Sequence, residues 1–279
     1  MQPRSILVTG TSSGIGLCAA ETMKARGWNV FATARKPEDL AMLERLGVTP
    51  LFLDYADEAS IHACVDKVLT ATGGGLDALF NNGAYAQPGA LEDIAPALMR
   101  EQFEANFLGW HTLTRALVPA MRRQGHGRIV QCSSVLGLVG MKFRGPYVAT
   151  KFALEGYSDV LRMELAPAGI HVSLIEPGPI ATKFVENSMR RFVENIDHEA
   201  SPHRDLYKRR LATLRGGGAS RYKLGPEAVV EKLVRAVESP KPKARYRVTR
   251  VTAYLAVLRR VLSTRALDRI IVPISDAGN

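Results

Sequence analysis

The feature that most constrains this chain is an alternation of short apolar runs with longer segments of helical period. Ile6-Leu7-Val8-Thr9, Trp28 to Thr33, Val48 to Leu53, Leu76 to Phe80, Ile129 to Cys132 and Ile170 to Ile175 read as buried strands, rich in β-branched residues and bounded by Gly, Asp, Asn or Ser. Between them lie stretches with apolar residues three and four apart, among them Asp57 to about Thr72, Pro96 to Arg123 and Gly145 to Ala166. Strand followed by helix, repeated, requires a parallel sheet with right-handed crossovers and helices on both faces. A further helix from Pro226 to Glu238 and a final strand from Arg245 to Thr249 bring the expected sheet to about seven strands. With 279 residues, 46% of them hydrophobic, the chain is expected to build one large α/β domain rather than two.

In such a sheet the residues after each strand face a common crevice, so those positions carry the functional reading. The first strand runs into Gly10-Thr11-Ser12-Ser13-Gly14-Ile15-Gly16, and a helical pattern starts with Leu17, Ala20 and Met23. Glycines permit a tight turn and a close backbone approach to a pyrophosphate, which the helix N-terminus stabilises through its free N–H groups. The same residues satisfy G-x-S-x-G, the nucleophile elbow of α/β hydrolases. Only one strand precedes this turn, and His171 lies inside a strand-like run, so the hydrolase geometry is not met.

The second strand ends in Ala34-Arg35-Lys36, where recognition of an unphosphorylated ribose would favour a carboxylate. A guanidinium there suits a 2′-phosphate, so the expected cofactor is NADP(H), with Arg35 as its main contact and Lys36 beside it. Both cations could equally sit in a turn before Pro37. Asp54, after the third strand, is a candidate for an adenine amino group, or else the N-cap of the next helix. Asn82 and Gly83 follow the fourth strand, and Asn106 sits between two Phe in a helix interior. Such an Asn is expected to be buried and bonded, either bending the helix and holding a water or packing as a plain amide.

Ser134 lies just past the fifth strand, and Tyr147 and Lys151 are four apart on the helix that follows. The i, i+4 spacing puts ammonium and phenol on one face, where the cation is expected to lower the phenol pKa and make it a proton donor. Alone, such a pair is usually a surface contact. After the sixth strand, Pro177 and Gly178 break the pattern, and the backbone near Ile180 and Thr182 is placed to reach a cofactor amide.

Taken in order, Thr9-Gly10-x3-Gly14-x-Gly16, Asn81-Asn82-Gly83-Ala84, Asn106, Ser134, Tyr147-x3-Lys151 and Pro177-Gly178 resemble the short-chain dehydrogenase/reductase family over roughly residues 4–250. The resemblance implies a Rossmann fold, with Tyr147 as acid/base and Lys151 lowering its pKa and holding the nicotinamide ribose. It implies that Ser134, rather than Ser133, orients the substrate carbonyl, and that Asn106 keeps a relay water. It places the glycines with Ser12, Ser13 and Ile15 at the pyrophosphate and Asp54 and Asn82 near the adenosine. The family's usual Asn-Asn-Ala-Gly is Asn-Asn-Gly-Ala here, which predicts altered local geometry. Ser173 to Ile180 and Leu224 to Val230 resemble the retinol and 17β-hydroxysteroid dehydrogenase branch, and a bacterial NADP-dependent aldehyde reductase most of all. A lipophilic aldehyde or ketone substrate and a homodimer follow as expectations. The alternative is a nucleotide-binding sensor without turnover.

Outside the motifs, residues 182–224 show little periodicity and are expected to form a lid hinged at Gly216-Gly217-Gly218. Residues 251–279 read as a basic amphipathic extension, with Val251, Tyr254, Leu255, Leu258, Val261 and Leu262 at helical spacing among arginines. It is expected to cover the substrate mouth, make a dimer contact or touch a membrane surface. The formal net charge of +10 lies in residues 190–279, which hold 20 Lys+Arg against 9 Asp+Glu. Cys18, Cys64 and Cys132 are scattered in apolar contexts, which implies free thiols, no metal and a reducing, cytoplasmic setting. Neither a spanning helix nor a signal peptide is expected, and no nucleic-acid partner.

Overall fold

The structure, a computed structural model, describes residues 3–215 and 223–276. Its first half is β1 (Ser5–Val8), α1 (Gly14–Ala25), β2 (Asn29–Ala34), α2 (Pro37–Arg45), β3 (Thr49–Phe52), α3 (Glu58–Ala71) and β4 (Ala78–Asn81). Next come α4 (Pro96–Phe103), α5 (Gly109–Gln124), β5 (Gly127–Cys132), α6 (Gly145–Leu165) and β6 (Ile170–Glu176). The chain closes with α7 (Phe184–Asn195), α8 (Arg204–Arg215), α9 (Glu227–Glu238), β7 (Arg245–Arg247), α10 (Arg250–Val261) and α11 (Thr264–Asp276).

All seven strands pair in parallel, in the order β3-β2-β1-β4-β5-β6-β7. This is the doubly wound Rossmann sheet that the alternation implies. Order reverses between β1 and β4, the switch point at which such sheets bind ligands. β1 and β4 are buried at every position, because helices cover both faces. Pro50 fits β3 because that strand is an edge, with one side free of ladder bonds.

Several sequence expectations change in detail. The helix from Pro96 to Arg123 is broken by a π-helical turn, Glu104–Leu108, centred on Asn106. The N-cap of α3 is Asp57, whose carboxylate accepts from the Ala59 N–H at 3.0 Å, and not Asp54. β7 ends at Arg247, because Thr249 caps α10, its hydroxyl accepting from the Thr252 N–H at 3.2 Å.

The region expected to lack periodic structure contains α7 and α8, joined by a second apolar cluster of Ala90, Ile94, Phe192, Ile196, Tyr207 and Leu211. Tyr207 ties α8 to the main body, accepting from the Ala90 N–H and donating to Asp93, each at 2.6 Å. The triple glycine, 216–218, lies outside the described residues. The basic extension is two helices instead of one. Leu255, Leu267 and Ile271 pack on Val139, with Val135 and Leu138 alongside, so α10 and α11 cover the segment that follows Ser134. The opposite face of α10 exposes Tyr254, Val257 and Val261. Among the described residues no helix is long and apolar enough to cross a membrane, and no group of His, Cys, Asp or Glu is placed to hold a metal ion.

The turn into α1 depends on backbone contact. Gly10 has φ +67°, and a Cβ on it would lie 2.4 Å from the Gly83 Cα. A Cβ on Gly16 would lie 2.1 Å from the Gly10 carbonyl oxygen, inside any tolerable contact. Gly16→Ala is therefore expected to destabilise the domain by about 1–3 kcal/mol, the range for overpacking a filled site. Thermal unfolding checks this, and an unchanged Tm would contradict it.

Candidate active site

The strand ends bring the two halves of the site together. On the β1–β4 side, the Asn82 N–H donates to the Thr9 hydroxyl at 2.8 Å, and its side-chain amide donates to the Thr9 carbonyl at 3.0 Å. Asn82 is therefore a clamp between two loops, its amide N–H already engaged. Gly83 sits backbone to backbone against Gly10, which accounts for a glycine at that place in the altered Asn-Asn-Gly-Ala. Asn81 is buried beneath, donating to Thr114 at 3.1 Å and Gln131 at 3.0 Å.

The glycine turn opens onto the N-terminus of α1. Ser13 is the N-cap residue, and its side chain makes no capping bond, so Ser12, Ser13 and Ile15 flank a helix start whose first N–H groups are free for an anion. Thr182 closes this cradle from the β6 side, its methyl 3.0 Å from where a Cβ on Gly14 would lie. Pro177 anchors the same loop by accepting the Val135 N–H at 2.7 Å. Gly178 leaves room for Thr249, whose hydroxyl would be 2.2 Å from a Cβ there. Ile180 bridges Leu224 in parallel through the Pro179 carbonyl and the Ala181 N–H. That alternation turns Ile180's own N–H and carbonyl the other way.

Arg35 and Lys36 extend from the end of β2. The Arg35 side chain is 69% exposed and lies 3.6 Å from Asp54, while Lys36 pairs with Glu38 at 3.7 Å. Asp54 also accepts the Ala56 N–H at 3.1 Å in a local turn. A free helix N-terminus beside a glycine cradle fits the pyrophosphate of a dinucleotide.

On the β5–α6 side, Ser134, Tyr147 and Lys151 are all buried. Ser134 caps a short 3₁₀ turn by accepting the Leu136 N–H at 3.1 Å, and its hydroxyl acts to lower the Tyr147 phenol's pKa. Lys151 is 1% exposed; its ammonium donates to the Cys132 carbonyl at 2.7 Å and lies 4.5 Å from the Trp110 ring centre. Asn106 spends its amide on Tyr85, accepting from that N–H at 3.2 Å and donating to that carbonyl at 2.8 Å. The helix turns π-helical over Glu104–Leu108, around Asn106.

One electrostatic expectation is corrected. Burial drives the Tyr147 phenol above its ordinary range, and the groups that pull it back are Ser134 and Arg144 rather than Lys151. The ammonium faces the Cys132 carbonyl, 5.5 Å from the phenol ring centre, and its own pKa is pushed down to about 8 by burial. Burial also lifts the Cys132 thiol to about 11, so that sulfur is neutral near pH 7.

Three neighbours carried no sequence signal. Phe184 opens α7 and packs edge-on against Tyr147, ring centres 5.4 Å apart. Arg144, the N-cap residue of α6, and Arg210 of α8 line a cavity on the same side. Isolated aromatic and basic residues have no pattern that marks them as site residues before the fold is known.

The family model for short chain dehydrogenases matches residues 4–191, which is most of this architecture. The chain belongs to the short-chain dehydrogenase family. Within that family it is 44% identical over 268 residues to the uncharacterized oxidoreductase YbbO of Escherichia coli, covering 96% of this chain and 94% of YbbO. It is 35% identical over 283 aligned positions to human retinol dehydrogenase 8, covering 95% of this chain and 88% of that protein. A solved structure of a variant actinorhodin polyketide ketoreductase with NADPH superposes with a TM-score of 0.74 at 28% identity, covering 88% of this chain and 96% of that one. As a member of this family the chain is an oxidoreductase of carbonyl and alcohol groups.

The buried amine gives a pH prediction. Lys151 titrates near 8 in the folded chain, below the ~10.4 of an unfolded lysine. Between those values the unfolded chain binds more protons than the folded one, so this contribution to stability rises with pH and is least favourable below 8. Lys151→Met should flatten the rise, seen as urea midpoints at pH 8 and pH 10 that converge relative to the parent. An equal rise in both proteins would contradict the assignment.

Proposed function

We propose that this short-chain dehydrogenase is an NADPH-dependent reductase of lipophilic aldehydes or ketones. The observation that carries the reading is the buried Ser134–Tyr147–Lys151 set beside the glycine cradle of α1. NADPH, when bound, supplies a hydride to the carbonyl carbon. Ser134 donates a hydrogen bond that orients the carbonyl, and Tyr147 delivers the proton that completes the alcohol. A phenol held protonated by burial suits that direction, since it enters the reaction as an acid. Lys151 holds the strand end beneath both groups and, as an ammonium, would draw the phenolate charge that forms.

Preference for the phosphorylated cofactor rests on Arg35 and Lys36 standing where a carboxylate would otherwise bind the ribose. The NADPH-bound ketoreductase supports this choice as a structural neighbour. A lipophilic substrate is supported by the retinol dehydrogenase relative and by the apolar cluster under α7 and α8, two helices that we assign to a substrate lid.

The test is loss of NADPH absorbance with medium-chain and aromatic aldehydes, retinal and steroid ketones. Turnover should be faster with NADPH than with NADH, and Tyr147→Phe should lower kcat by about 10²-fold or more, the scale of a lost general acid. Arg35→Ser should weaken NADPH by about 10- to 100-fold, as for a charged hydrogen bond, while sparing NADH. Cofactor binding without turnover across the panel would favour a nucleotide sensor instead.

A further inference from the structure

The lid side of the site holds a second chemistry. A cavity of about 50 Å³ lies between α7, α8 and the Phe143–Arg144 segment that leads into α6, walled by Val185, Met189, Phe192 and Leu211 and lined also by Arg144 and Arg210. Arg210 is 9% exposed, and its buried Nη1 has no hydrogen-bond partner. Its guanidinium stacks over the Phe143 ring at 4.9 Å, a contact that orients the group without neutralising it. Among the described residues Arg144 has no hydrogen bond or ion pair from its side chain, and the two cations repel each other. That repulsion, added to burial, pushes Arg144 down to about 10. The carboxylate whose field reaches Arg210 is Asp276, already bonded to Lys142 at 2.9 Å.

Two unpaired guanidinium groups at an apolar cavity are costly, because buried charge without a partner is strongly unfavourable. The backbone beside them is strained as well. Phe143 has φ +62°, a left-handed value that costs a non-glycine residue about 1–2 kcal/mol. The electrostatic cost falls if an anion occupies the cavity, since guanidinium binds carboxylate bidentately. A volume of about 50 Å³ takes a carboxylate and a short stretch of methylenes, at about 10–15 Å³ per water-sized occupant, but not a steroid ring system. Arg144 stands three residues before Tyr147, and Val185 of the cavity wall follows Phe184, whose ring packs on Tyr147 at 5.4 Å, so the cavity adjoins the Tyr147 side of the site.

We infer that Arg144 and Arg210 form a carboxylate-binding subsite, so that the substrates are apolar carbonyl compounds ending in an acid group. This rests on the reductase reading and narrows it to oxo acids.

Two matched pairs test it with NADPH: 4-formylbenzoate against its methyl ester, and 9-oxononanoate against its methyl ester. In at least one pair the acid should exceed its ester in kcat/KM by about tenfold or more, the worth of a charged hydrogen bond. Arg210→Met should cut that acid-to-ester ratio by about tenfold, and Arg210→Lys, which keeps the charge, should restore part of it. Equal kcat/KM in both pairs, or a ratio unmoved in Arg210→Met, would overturn the subsite while ester turnover left the reductase standing. If no compound turns over, the reductase reading fails, and calorimetric titration of nonanoate against nonanol decides the subsite by itself. Carboxylate binding lost in Arg210→Met would support it, and equal binding of acid and alcohol would refute it.

Discussion

The site depends on one buried ammonium. Lys151 donates to the Cys132 carbonyl, the last of β5, from the second turn of α6. That bond fixes helix to strand at the point where Ser134 leaves the sheet and Tyr147 enters the helix. Burial is tolerated because the charge has a carbonyl and the Trp110 face to rest on, at the cost of a pKa near 8. A neutral side chain in its place would leave the carbonyl unpaired and free Ser134 and Tyr147 to move independently.

The two ends of the cleft are electrostatically distinct. At the end proposed to hold the cofactor, the start of α1 has no side-chain cap and Arg35 is solvated. Beside α7 and α8 the cations are instead withdrawn from water, half-buried at Arg144 and buried at Arg210, where an anion would be worth more. The excess positive charge of the last third of the chain thus includes a residue, Arg210, that is buried. It is not all a solvated surface.

How much was legible beforehand follows from the range of the signals. Strand and helix periodicity is local, so all seven strands and their parallel pairing could be read from the chain, with ends shifted by a residue or two where caps such as Asp57 and Thr249 decide. The motif residues were legible because strand ends in a parallel sheet converge. Side-chain pairings were not. The clamp of Asn82 on Thr9 carried no sequence signal, since an amide's partner depends on which loop lies 73 residues away in sequence. The phenol's shift had the opposite sign from the expectation, because i, i+4 spacing says two groups share a face but not which carbonyl captures the ammonium. α7 and α8 were missed because their apolar positions serve a small separate cluster rather than the sheet.

The central claim is that Ser134, Tyr147 and Lys151 preside over hydride transfer from NADPH to a carbonyl. Its most direct measurement is isotopic. Reduction of a substrate aldehyde with NADPH deuterated at the transferable C4 position should give an alcohol carrying one deuterium on the carbinol carbon by mass spectrometry. NADPH oxidation without deuterium in the alcohol, or with no alcohol formed, would contradict the account.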